Sequence, residues 1–92
     1  MSTGYLFESL KRTFSEFDLS LMEAEIMKDN SNKVFVTNFR YTKDGTIYDK
    51  DIKITFKEIH QKSILLCQDN GTVYVNLIQQ KLKEDLNNER NF

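Results

Sequence analysis

Apolar residues recur along the first seventeen positions with a helical period. Phe7, Leu10, Phe14 and Phe17 are spaced three, four and three apart, which places them on one stripe of an amphipathic helix over 3–17. Ser2 or Thr3 stands where a cap is needed, and Glu8 sits near the end where the helix dipole favours a carboxylate. Over 18–28 two periods compete. Leu21 and Ala24 continue the helical spacing, whereas Met22, Ala24 and Ile26 alternate with Glu23 and Glu25 as in a half-buried strand. Ser20 and Glu23 also have the spacing of a capping box. The Asp29-Asn30-Ser31-Asn32 cluster that follows is turn chemistry leading into a β-rich run, so the segment 20–28 reads better as the first arm of a hairpin.

From Lys33 to Tyr41 the chain is β-branched and aromatic, with Val34 and Val36 on one face and Phe35, Phe39 and Tyr41 on the other. That pattern predicts a central strand covered on both faces. Lys43-Asp44-Gly45 signals a hairpin turn, and beyond it Tyr48, Ile52, Ile54 and Phe56 alternate with Asp49, Asp51, Lys53 and Thr55, a strand with one wet face. A polar connector over 57–62 is then expected. Ser63 to Cys67 and Thr72 to Asn76 read as a second hairpin around Asp69-Asn70-Gly71. From about Asn76, Ile78, Leu82 and Leu86 recur every fourth position, a final helix closed by Asn87-Asn88. The layout is a single α+β domain over 1–92: an N-terminal helix, an antiparallel meander of four to five strands, and a C-terminal helix packed on the sheet.

Composition adds limits. At 92 residues the chain has one core and leaves much of its surface wet, which makes a homodimer an expectation. A net charge of −1 gives no basic surplus for phosphate neutralisation. One cysteine rules out an internal disulfide and fits a reducing compartment. With no run of about 18 apolar residues and no secretory pattern at the N-terminus, the expected location is the cytoplasm, away from membranes.

The inventory for catalysis is thin. His60 falls in the polar connector and reads as a solvated loop residue; Cys67 ends an apolar strand and reads as a small core residue. Two such residues are too few for a structural zinc site, and the spacing of Asp44, Asp49 and Asp51 is not that of a calcium loop. No glycine-rich phosphate cradle occurs. The expectation is a protein without enzymatic activity, cofactor or metal. Lys33, Phe35, Phe39, Arg40, Tyr41 and Lys43 form the one stretch where aromatic and basic residues interleave, as on a base-stacking sheet. Lys50, Lys53 and Lys57, dispersed among acids, read as a solvated face.

The acidic residues cluster more clearly. Glu16, Asp18, Glu23, Glu25 and Asp29 fall within fourteen positions with Lys28 the only cation among them, a local charge of −4. If 20–28 is a strand, Glu23 and Glu25 project from one face about 7 Å apart, a spacing on the scale of phosphates along one strand of duplex DNA. Asp44, Asp49 and Asp51 form a second group, and Glu84, Asp85 and Glu89 a third.

Two resemblances follow. The order of a helix, Lys33-Val34-Phe35-Val36-Thr37, Lys43-Asp44-Gly45, Ser63-Ile64-Leu65-Leu66, Asp69-Asn70-Gly71 and a helix resembles the α-β-β-β-α subunits of the signal recognition particle Alu domain, which implies an RNA-binding module. A short chain without Pro or Trp, with acidic clusters over 16–29 and the tail Glu84-Asp85-Leu86-Asn87-Asn88-Glu89, is similar to the small early proteins of T-even phages, in particular the anti-restriction DNA mimics. The second resemblance implies a non-enzymatic inhibitor, acting in the host cytoplasm, whose carboxylates occupy the DNA site of a restriction nuclease or another DNA-binding protein. It is the leading reading, with Glu16, Asp18, Glu23, Glu25, Asp29, Asp44, Asp49 and Asp51 as phosphate surrogates.

Overall fold

A computed structural model describes residues 3–90; Ser2, one of the two cap candidates, lies outside them. The element order is α1 (Thr3–Glu16), β1 (Ser20–Asp29), β2 (Val34–Lys43), β3 (Thr46–Thr55), α2 (Phe56–Leu66) and α3 (Asn70–Arg90). The strands form an antiparallel sheet in the order β1-β2-β3, and the fold is α+β. The sheet has three strands among the described residues, not four or five.

The competing periods of the 18–28 segment have a structural cause. The register steps from Leu21 opposite Tyr41 to Glu23 opposite Arg40, so Met22 is an extra residue in a bulge. The bulge puts Leu21 and Ala24, three apart, on the same buried face and leaves Glu23 and Glu25 on the other. On the hairpin between β2 and β3, Asp44 and Gly45 both have positive φ, 51° and 81°, the conformation that a two-residue turn matching strand twist requires.

The expected second hairpin is helical. Thr55 caps α2 by accepting a hydrogen bond from the Glu58 amide at 3.1 Å, an N-cap at a point where alternation alone suggested a continuing strand. Residues 57–62, expected as a connector, lie inside α2, and Ser63 to Leu66 form its last turn. Asp69 accepts from the amide and hydroxyl of Thr72 at 3.0 and 2.6 Å and so begins α3 rather than a turn. The period of four extends back from Leu86 through Leu82 and Ile78 to Tyr74, all buried, and this continuous stripe holds Thr72 to Asn76 in the helix. α3 continues through Asn87-Asn88 to Arg90.

β2 is central as expected but is covered on one side only. Phe35, Thr37, Phe39 and Tyr41 face the helices, and Phe14 of α1 packs its ring against Phe39 and Tyr41 at centroid distances of 5.5 and 5.2 Å. The buried stripe of α1 is Leu6, Leu10, Thr13 and Phe14, with Phe7 and Phe17 at its border. Beside β2, Leu21 and Ala24 of β1 and Ile52 and Ile54 of β3 complete the sheet's buried contribution to the core. The Thr37 hydroxyl and the Tyr74 hydroxyl hydrogen-bond to each other inside it.

α1 and α2 close with the same device. The Asp18 and Leu19 amides donate to the Ser15 and Phe14 carbonyls, and the Cys67 and Gln68 amides donate to the Ile64 and Ser63 carbonyls, the two bonds of a Schellman motif. The left-handed position is held by Asp18 (φ 60°) and by Cys67 (φ 53°) instead of glycine. Cys67 is exposed at this cap rather than buried in the core. Replacing Cys67 with Gly relieves the left-handed strain at a cost in unfolded-chain entropy, for an expected net gain of about 0.5–1 kcal/mol. A rise in the urea unfolding midpoint checks this, and Cys67→Val should lower it.

Candidate functional site: the open face of the sheet

With all helical cover on one face, the other face of the sheet lies open, and strand register decides what it carries. Glu23, Arg40 and Asp49 form one cross-strand row, and Glu25, Asn38 and Asp51 form the next. The carboxylates thus stand in two columns, on β1 and β3, about 10 Å apart across the sheet and about 7 Å apart along each strand. Arg40 sits between the columns, its Nη1 3.8 Å from Glu23 and its Nε 3.3 Å from Asp49. Asn38 donates to Asp51 at 2.8 Å. These groups are roughly half exposed, at 49% for Arg40, 64% for Glu23 and 55% for Asp49, so each pair contributes about 0–1 kcal/mol and can be exchanged for another partner. Lys53 is the other cation on this face, near Val36 and Met27.

The structure divides the eight expected acidic residues among several places. Glu23, Glu25, Asp49 and Asp51 come together on the open face, although they belong to two clusters well separated in sequence. Asp29 ends β1, but its carboxylate closes the local turn: Oδ1 accepts from the Ser31 and Asn32 amides at 3.1 Å each, and Oδ2 accepts from the Asn32 side chain at 2.8 Å. The Asn32 side-chain bond and then its amide hold the Asp29 carboxyl below the usual carboxylate range. Asp18 and Asp44 meet at the far end of the molecule, lining a cavity with Lys43, Tyr48 and Glu89. Glu16 lies on the outer side of α1, near Glu8 and Arg12.

Of the third acidic group, Asp85 and Glu89 turn toward the sheet, and Glu84 is exposed on α3. Lys50, expected on a solvated face, lies opposite Phe39 on the covered side of the sheet with its side chain only 10% exposed. Its ammonium donates to Asp85 at 2.7 Å and to Glu89 at 2.5 Å, both on α3. The parity of Tyr48, Lys50, Ile52 and Ile54 marks Lys50 as inward-facing, and the four-residue spacing of Asp85 and Glu89 puts both on one helix face to meet it. Burial pulls the Lys50 pKa down, but the two carboxylate hydrogen bonds outweigh it and leave the ammonium above the ordinary lysine value. A raised folded-state pKa means that this stabilisation is complete below about pH 10 and is lost as pH rises through the folded value. Removing the acids leaves a buried charge without partners, whereas removing the lysine leaves two half-exposed carboxylates that water can serve. Asp85→Asn with Glu89→Gln is therefore expected to cost about 2–3 kcal/mol and Lys50→Met about 1 kcal/mol; urea unfolding of both variants at pH 7 checks the order.

The aromatic side chains of the Lys33–Lys43 stretch face the helices: Phe39 and Tyr41 are buried, and Phe35 packs on Phe56 and Tyr74. His60 is exposed, on α2 instead of a loop. Among the described residues no three His, Cys, Asp or Glu side chains gather as a metal site would need, and no helix is long and apolar enough to cross a membrane. The pattern gave no warning of exposed Ile64, Leu65 and Leu66 at the end of α2, since as a strand they would have been covered. No family model, curated protein or solved structure matches the chain.

Proposed function

We propose that this protein is a non-enzymatic DNA mimic that presents the open face of its sheet to the basic DNA site of a nuclease or other DNA-binding protein. The observation that carries the reading is the convergence of Glu23 and Glu25 on β1 with Asp49 and Asp51 on β3 into two exposed columns. The field that steers a basic partner depends on local charge, so a chain with a net charge of −1 can attract such a partner if its acids share a face. The spacing along each strand, about 7 Å, is twice the axial rise per nucleotide of one DNA strand. An RNA-binding role would ask for aromatic rings on an open face, and here they line the core.

The reading includes a homodimer, which would lengthen the acidic surface. Apolar side chains left in water supply surface for it: Met22 and Met27 on the β1 edge, and Ile64, Leu65 and Leu66 on α2, exposed by 49% to 74%.

The test is displacement of labelled duplex DNA from a panel of DNA-binding proteins, restriction nucleases included, followed by fluorescence anisotropy. The protein should displace DNA from at least one of them, less well as salt rises, and should not bind the duplex itself. Glu23→Lys with Glu25→Lys, or Asp49→Lys with Asp51→Lys, should weaken displacement at least tenfold, whereas Glu84→Lys on α3 should leave it unchanged. Direct salt-sensitive binding of nucleic acid, or displacement indifferent to both double substitutions, would overturn the reading.

A further inference from the structure

On the covered side of the sheet, where the ends of β1 and β2 meet α2 and the start of α3, there is an open cavity of about 500 Å3. Its size is that of a small-molecule site. Three rings form its wall: Phe35 packs against Phe56 at 4.9 Å and edge-on to Tyr74 at 5.3 Å. Tyr74 is fixed by its buried hydrogen bond to Thr37, and Phe56 by its place in the first turn of α2, so the wall is formed without a ligand.

The polar groups at the cavity are Lys28, His60 and the residues that open α3, with no carboxylate in the lining. The Lys28 ammonium lies 5.6 Å from the Phe56 centroid, within cation–π range, and no carboxylate among the described residues forms an ion pair with it. The Asp69 carboxylate already accepts from the Thr72 amide and hydroxyl at the start of α3, and Lys28 is the ammonium at the cavity, with His60 also in its lining.

From these features we infer that the cavity binds a small planar aromatic compound carrying one anionic group, its ring against Phe35, Phe56 and Tyr74 and its anion on Lys28. The site lies on the opposite side of the sheet from the acidic columns, and the inference stands independently of the mimic reading.

The test is a titration of the full chain with 1-naphthoate, and separately with its uncharged counterpart 1-naphthamide, observed by amide NMR. Saturable shifts are expected at Lys28, Phe35, His60 and Gly71, with naphthoate bound about tenfold more tightly than the amide. Lys28→Met keeps most of the side-chain stem at an exposed position; it should abolish that tenfold preference while leaving naphthamide affinity unchanged. Equal affinity for the two compounds, a preference that survives Lys28→Met, or shifts centred on Ile64 to Leu66 would each overturn the inference.

Discussion

The alternation along β2 is the constraint on which the other elements depend. Phe35, Thr37, Phe39 and Tyr41 project to one side and Val34, Val36, Asn38, Arg40 and Thr42 to the other, and a chain of 92 residues has helix enough to cover only one of them. The aromatic side draws α1 and α3 down onto it, because rings of this size lose most by remaining in water. The second side is left to solvent. Its residues contribute little to the core, so charge can accumulate there without the desolvation cost that a carboxylate would meet on the inner face.

Lys50 is the exception that shows how strict this division is. It takes an inward position on β3, and α3 answers with Asp85 and Glu89 placed one turn apart. The stem of the lysine packs among apolar neighbours while its ammonium reaches the edge of the layer, where the two acids are still about half exposed. The ion pairs also tie α3 to β3, so Asp85 and Glu89 are engaged in holding the fold together.

Much of this architecture was legible in the residues. The helical period of α1, the alternation of β2 and β3, the Asp44-Gly45 turn and the strand over 20–28 follow from side-chain pattern and turn chemistry. The misreading of Ser63 to Asn76 came from giving Asp69-Asn70-Gly71 the meaning of a hairpin turn. The same three residues can start a helix when Asp69 is the cap and an apolar stripe follows, and the stripe from Tyr74 to Leu86 was there to decide it. The candidate site was legible in its parts. Parity places Asp49 and Asp51 on a wet face, and Glu23 and Glu25 on another. That the two faces are one required the pairing register and the bulge at Met22, which are properties of the assembled sheet.

The energetics of the open face explain why Arg40 belongs in its middle. Two carboxylates 7–10 Å apart repel by about 0.4–0.6 kcal/mol in water, so four of them clustered without cations would carry a destabilisation of a few kcal/mol at low salt. Arg40, within 4 Å of Glu23 and Asp49, offsets part of that repulsion in the free protein. Its own pairs are solvated and weak enough to yield. On the proposed reading, a basic partner docking on the face would take over the same compensation and exclude water as it did so, which would strengthen each new pair relative to the exposed ones it replaced. A cation at the centre of an acidic surface is therefore compatible with the proposed docking of a cationic surface there: it holds Glu23 and Asp49 on either side of it by contacts weak enough to exchange.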